Sequence, residues 1–355
     1  MSPLLAVAEA LRELAPGAAL LFCGGRRGLE AELVHAAGIA FHAIPMPSLR
    51  DPDSRLSLVV RALLLGPSVI DALVQVARFR PRVCCTSGGL VTLPVVIAAR
   101  ILRVPVYLWT GDVVPGRVNR LLAGFCQRIG ATFAASAPWL PRERTHVPGN
   151  PIRRSLLRWT PETGSLALGL DPAFPVVLVT GGSQGSERIN EVLSAALPQI
   201  LRRAAVVHHT GPAHIARAEA RKKALPEELG ARYHPHGYLH DEMGAALAAA
   251  DLVVGRAGSS SISEPLAFGK PLVLIPFGAS ASGHQAANAR AVEETGAATT
   301  IHEGVLDGDR LAAVVRGLLD DPARLERMAV AARAAGKPEA AATIARELLS
   351  LGKCA

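Results

Sequence analysis

GRAGSSSISEPLAFGKPLVLIPFGASASGHQAANA, residues 255–289, is the stretch whose reading decides what this chain is. It ends an apolar run over 251–255 that reads as a buried strand, and it breaks at Gly258. Ser259, Ser260 and Ser261 follow, then Ile262, Ser263 and Glu264, with Glu264 expected within the first turn of the helix that the break begins. A second strand over 271–276 leads to a loop carrying His284, Gln285 and Asn288. A Gly- and Ser-rich helix start leaves backbone N–H groups free at the positive end of the helix dipole, which suits a phosphate. A carboxylate one turn further in suits the paired hydroxyls of a ribose. Together they describe a nucleotide-diphosphate site. The same letters also fit an ordinary cap, with Ser261 and Glu264 as a capping box, and this stretch alone leaves both readings open.

Working outward, strands and helices alternate along the chain. Strands are expected at 18–23, 39–45, 82–86, 104–109 and 131–135, with helices at 3–14, 29–37, 57–80, up to 102, and over 119–129. Gly66–Pro67 is expected to break or kink the long apolar region 57–80 into a buried helical hairpin. HVPGNPIRRSL interrupts the rhythm with Pro148, Gly149 and Pro151, which places a domain boundary at 150. The rhythm resumes with strands at 175–180, 205–210 and 232–239, and ends in helices over 308–320, 323–335 and 338–351. The expected class is α/β, with parallel sheets covered on both faces, in two doubly wound domains facing each other across a cleft. Ligands then sit at the carboxyl ends of strands, where the Gly-rich breaks after Thr86, Trp109, Thr180 and Gly255 fall.

Composition narrows the function classes. The chain has 355 residues, long enough for two domains, and is 50% hydrophobic but only 4% aromatic, so its cores must be built from Ala, Val and Leu. A net charge of +8, carried mostly by Arg, suits anionic partners such as nucleotide diphosphates or acidic lipid. No dense basic run is interleaved with aromatics, which argues against nucleic acid. The five cysteines show no metal spacing and indicate a reducing compartment. No apolar run approaches the roughly 20 residues needed to span a bilayer. The opening SPLLAVAEALREL carries Glu9 and Glu13 without a basic head, so it is not read as a signal peptide. Region 57–80, flanked by Arg61, Arg78, Arg80 and Arg82, is compatible with docking on an anionic membrane surface.

Other motifs carry less. Asp51 and Asp53 have the D-x-D spacing of a metal-diphosphate site, but Pro52 between them reads as a solvated turn. Asp307 and Asp309 repeat the spacing in a turn and helix cap. His208 and His209, adjacent on a strand, point to opposite faces and cannot share a metal shell. VLVTGGSQGSERIN is a strand, a Gly-rich turn and a helix, yet it has neither the G-x-G-x-x-G of dinucleotide folds nor the Lys of a phosphate loop. Its glycines admit a ligand close to the backbone, with Ser183 and Gln184 as hydrogen-bonding groups. No resident cofactor and no metal is expected.

TGGSQGSERIN, VPGNPIRRSL, RAGSSSISEPLAFGKPLVLIPF and GHQAANARAVEETGAA together resemble the MurG family of bacterial glycosyltransferases. Weaker similarity runs through SPLLAVAEALREL, RRGLEAEL, SGGLVTLPVVIAA and VPGRVNRLLA, so the resemblance covers almost the whole chain. It implies a GT-B fold and transfer of N-acetylglucosamine from UDP-GlcNAc to undecaprenyl-pyrophosphoryl-N-acetylmuramyl-pentapeptide, inverting and metal-independent. It further implies a peripheral place on the cytoplasmic face of the cell membrane. The domains implied are 1–150 for acceptor and membrane, joined by a final helix over about 337–355, and 151–336 for the donor.

By the same resemblance Arg153, Ser183 and Gln184 contact the donor, and Leu239 offers its backbone to the uracil. Ser259, Ser260, Ser261, Ile262, Ser263 and Glu264 cradle diphosphate and ribose, and Gln285 reads the sugar hydroxyls. Two departures follow. The family's opening strand and GTGGH loop, whose His is its favoured catalytic base, would precede the helix that starts here at Ser2–Pro3, so either the true start lies upstream of Met1 or the protein lacks that site. Asp112 stands where the family has a donor-contacting Asn, and reads either as a candidate base at a strand end or as a turn residue before Pro115–Gly116. A UDP-GlcNAc epimerase or other GT-B transferase, or a UDP-sugar-binding relative without catalysis, are the alternatives.

Overall fold

The computed structural model describes residues 3–25, 30–45, 58–278 and 283–353, and for 58–64 the backbone course alone. Asp51 and Asp53 lie outside the described residues. The chain divides into two compact units, one of Met1–Gly111, Pro115–Arg153 and Glu339–Ala355, the other of Asp112–Val114 and Arg154–Pro338.

The first unit runs α1 (Pro3–Leu14), β1 (Leu21–Gly25), α2 (Glu30–Ala36), β2 (Ala40–Ile44), α3 (Leu58–Phe79), β3 (Cys84–Thr86) and α4 (Thr92–Ile101). It continues with β4 (Val106–Thr110), α5 (Arg117–Ala123), β5 (Arg128–Ala131) and β6 (Thr145–His146). β1 pairs with β2, and β3-β4-β5-β6 form a second sheet; every pairing is parallel. The expected break at Gly66–Pro67 does not occur, because α3 runs unbroken through Pro67. A helical proline removes one backbone bond, and burial of Ala72 and Val76 against Ile44 and Ala98 offsets that loss. The helix expected over 119–129 ends at Ala123, and 128–131 is strand where 131–135 was expected. Ile129 and Ala131 are fully buried beside β4, so sheet pairing overrides the helical pattern there.

The second unit opens with α6 (Pro161–Ala167), β7 (Val176–Thr180), α7 (Glu187–Ile200), β8 (Ala205–His209), α8 (Ile215–Lys223), α9 (Glu227–Gly230) and β9 (Tyr233–His236). It continues with α10 (Glu242–Ala249), β10 (Leu252–Gly255), α11 (Ser259–Ala267), β11 (Leu272–Leu274) and α12 (His284–Glu293). β12 (Ala298–Thr300), α13 (Gly308–Leu319) and α14 (Pro322–Ala335) complete it. Its six strands lie in the order β12-β11-β10-β7-β8-β9, all parallel. Every residue of β7, β8, β10 and β11 is buried, which is why these strands read as unbroken apolar runs. Asp307 caps α13, its Oδ1 accepting from Arg310 N at 2.7 Å, as the turn reading of that D-x-D expects.

The last helix, α15 (Ala340–Lys353), returns to the first unit and packs on α1 through Ala6, Ala10, Ala341 and Ala345. Small residues on both helices bring the backbones close. A polar clamp adds to this: Tyr107 Oη donates to Glu347 Oε2 at 2.8 Å, and His146 Nε2 lies 2.5 Å from the same oxygen. Gly130 leaves the room this clamp needs, since a Cβ there would stand 2.3 Å from Tyr107 Oη. Gly130→Ala is therefore expected to destabilise the protein by about 1–3 kcal/mol through overpacking, read as a lower midpoint in urea unfolding. An unchanged midpoint would show that the clamp relaxes freely.

Candidate functional site

The second unit's strand ends gather most of the expected site residues. After β7 the chain enters Gly181, Gly182, Ser183, Gln184 and Gly185. Gly185 has φ +76°, and a Cβ there would sit 2.0 Å from Thr210 O, so only glycine allows the turn to pack against the end of β8. Gly182 N donates to Thr180 Oγ1 at 3.1 Å, and Ser186 caps α7 by accepting from Ile189 N. The turn leaves Ser183 and Gln184 exposed.

α11 begins at Ser259 behind Gly258, which makes no side-chain cap. The capping-box reading therefore fails: Ser261 is the third residue of the helix rather than its cap. Glu264 is the sixth, in the second turn rather than the first. The first backbone bond of the helix runs from Ile262 N to Gly258 O at 3.0 Å. The N–H groups of Ser259, Ser260 and Ser261 precede it, at the positive end of the dipole. Ser259 Oγ is buried with no hydrogen-bond partner. Ile262 and Ser263 are buried, which fixes the helix against the sheet.

Arg256, one residue past β10, was not anticipated, although a lone Arg closing the apolar run LVVG was the available signal. It is 7% exposed, and it ties three strand ends together. Its guanidinium pairs with Glu303 Oε1 at 2.8 Å and donates to Ser186 Oγ at 2.8 Å and Ile275 O at 3.4 Å. Glu303 also accepts from Gly278 N at 2.8 Å. Burial favours protonating that carboxyl, but the Gly278 and Arg256 donors outweigh it and hold its pKa below the usual value.

His284, Gln285 and Asn288, expected on a loop, lie in the first turns of α12. Gln285 Oε1 accepts from Phe277 N at 2.9 Å, which orients the side chain. Asp112 is placed here too: Asn288 Nδ2 donates to its Oδ1 at 2.8 Å. Leu239 is 4% exposed, just past β9, so its backbone rather than its side chain is the part able to meet a ligand. Arg153 belongs to the first unit, where it lines a cavity of about 570 Å³ with Leu5, Glu9, Arg12 and Ile39.

His208 and His209 diverge as their adjacency requires. His208 meets Tyr233 Oη at 2.7 Å and Asn190 Oδ1 at 3.0 Å, while His209 Nδ1 lies 3.3 Å from Thr180 Oγ1. Among the described residues no group of three His, Cys, Asp or Glu could hold a metal ion.

Two family models match the chain. The glycosyltransferase family 28 N-terminal domain covers residues 1–131, and the family 28 C-terminal domain covers 176–344. A protein of Anaeromyxobacter sp. (strain Fw109-5) is 37% identical over 97% of this chain and 88% of its own length. One of Desulforudis audaxviator (strain MP104C) is 36% identical over 95% and 91%. Both are named UDP-N-acetylglucosamine--N-acetylmuramyl-(pentapeptide) pyrophosphoryl-undecaprenol N-acetylglucosamine transferase. This chain belongs to the MurG family of glycosyltransferases.

Solved structures agree on the fold. Acinetobacter baumannii MurG superposes with a TM-score of 0.77 at 22% identity, covering 98% of this chain and 95% of that one. The UDP-GlcNAc 2-epimerase of Neisseria meningitidis, solved with UDP-GlcNAc bound, gives 0.67 at 14% identity, covering 98% and 96%. The architecture is the two-domain GT-B fold.

One titration follows from the core of this MurG family member. Burial, then the neighbouring His209 and His236, push the pKa of His208 down to about 3. The unfolded chain, with His near 6.5, binds the extra proton first, so stability present at neutral pH is lost as pH falls below about 6.5. His208 alone is expected to account for about 2 kcal/mol of loss between pH 7 and pH 5. Urea unfolding at both values should show a shallower acid loss for His208→Gln than for the wild type. Equal losses would mean that His208 is protonated in the fold.

Proposed function

We propose that this chain transfers N-acetylglucosamine from UDP-GlcNAc to the lipid-linked N-acetylmuramyl-pentapeptide acceptor, inverting the anomeric centre and using no metal. The observation that carries the reading is the start of α11, with no side-chain cap at Gly258 and with the orphaned Ser259 Oγ at the carboxyl end of β10. Its N–H groups and dipole suit the diphosphate, and they stabilise the charge that develops on the leaving UDP. Glu264, one helical turn further, accepts from the ribose hydroxyls, and the Leu239 backbone meets the uracil. Ser183 and Gln184 reach the diphosphate and sugar from the β7 turn, and Gln285 and Asp112 reach the sugar.

The acceptor's lipid calls for a surface. No helix among the described residues is long and apolar enough to cross a membrane. α3, α4 and α5 pack in series and leave Ile70, Val74, Ile97, Ile101 and Leu121 exposed. Arg78, Arg100, Arg103, Arg117 and Arg120 are exposed on or beside the same helices. Apolar side chains interleaved with arginines suit peripheral docking on anionic lipid, on the cytoplasmic face where UDP-GlcNAc is found.

Labelled UDP-GlcNAc should give labelled product on a soluble lipid I analogue in the presence of EDTA. Loss of turnover with chelator would sink the metal-free mechanism, and interconversion of UDP-GlcNAc without acceptor would establish the epimerase instead. Separately, the Ile101→Glu, Leu121→Glu double variant should lose about tenfold or more in affinity for phosphatidylglycerol vesicles while keeping turnover on the soluble acceptor. Undiminished vesicle binding would remove this face from consideration.

A further inference from the structure

Asn288 has none of its surface exposed. Its Oδ1 accepts from Val113 N at 2.8 Å, and its Nδ2 donates to Asp112 Oδ1 at 2.8 Å and to Ala257 O at 3.0 Å. An amide has two donor hydrogens, and both are used. The partners come from two stretches far apart in sequence. Asp112 and Val113 follow β4 yet belong to the second unit, and Ala257 immediately precedes Gly258 at the opening of α11.

We infer that Asn288 is a positioning residue of the transfer reaction, holding the Asp112 carboxylate in one orientation beside the opening of α11. The inference rests on the reading of that opening as the donor's diphosphate site. Asparagine suits the task because its short stem ends in one acceptor and two donor hydrogens, which match the Val113 N–H, the Asp112 carboxylate and the Ala257 carbonyl. Alanine would leave the Val113 N–H and the Ala257 carbonyl buried without those partners, and aspartate would set two carboxylates against each other. A carboxylate fixed before the sugar arrives incurs no ordering cost when the sugar binds. UDP lacks that sugar, so its affinity reports the cradle alone.

The test is a double-mutant cycle on Asn288→Ala and Asp112→Ala, reading kcat/KM for UDP-GlcNAc on a soluble acceptor and Kd for UDP. Asn288→Ala is expected to lower kcat/KM about 10- to 100-fold, while Kd for UDP stays within about threefold. Asp112→Ala should show the same selective loss, and the double variant should be no worse than the poorer single one. Additive losses overturn the inference, as does kcat/KM retained within about threefold or UDP affinity falling as far as kcat/KM. If Asn288→Ala does not fold, Asp112→Ala decides alone, since retained kcat/KM in that variant leaves nothing to position. A wild type that binds UDP without transferring overturns the transferase reading and this inference with it. An active wild type with additive losses overturns the inference only.

Discussion

A parallel sheet covered on both faces presents its backbone to a ligand only at its ends, and in the second unit that constraint governs everything else. Val176–Thr180, Ala205–His209 and Leu252–Gly255 are buried along their whole lengths, so no side chain of these strands can serve as a binding group midway. Chemistry is displaced to the residues that follow each strand. β7 and β10 are direct neighbours, with Gly255 in register with Thr180, so the Gly181–Gly182 turn and the Ala257–Gly258 turn leave the sheet side by side.

Bringing four strand ends together also creates a problem of charge. Arg256 is buried at this edge, and an isolated buried cation would be prohibitive. Glu303 supplies the counter-charge after β12, while Ser186 and Ile275 satisfy further donors of the guanidinium. Such a pair adds little net stability compared with apolar packing, but removing one partner is costly because the other is stranded. Its consequence is therefore positional. The α7 cap, the end of β11 and the loop at Gly278 are fixed relative to one charged group, three residues before the first residue of α11.

Much of this was legible in the sequence. Unbroken apolar runs such as VVLVT and LVVG could only be two-sided parallel strands, and the glycines after them marked the turns. The family resemblance then supplied roles that residue chemistry alone left open. The failures have local causes. Gly66–Pro67 reads as a break or kink because the proline ring removes a hydrogen bond, but burial of Ala72 and Val76 carries α3 through it. The strand RIGA at 128–131 straddles the expected helix end at 129 and the strand expected from 131, because a four-residue strand has too few letters to show a period. The Asn288 bridge joins positions about 175 residues apart, and no spacing rule reaches that far.

The opening of α11 shows why the capping-box reading was reasonable and why it fails. Elsewhere in the same unit Thr160, Ser186, Asp307 and Asp321 close helix starts with side-chain caps. A cap of that kind is typically worth about 1 kcal/mol, and glycine at the same position forgoes only part of it. A Ser, Thr or Asp side chain at 258 would occupy the backbone donors that a phosphate needs. Gly258 keeps them available, and three serines follow where the sequence has the means to cap but does not use it. α8, α9, α10 and α12 also open without a side-chain cap, so what sets α11 apart is the buried Ser259 Oγ that lacks a partner. A donor diphosphate bound here, as proposed, would supply the missing cap.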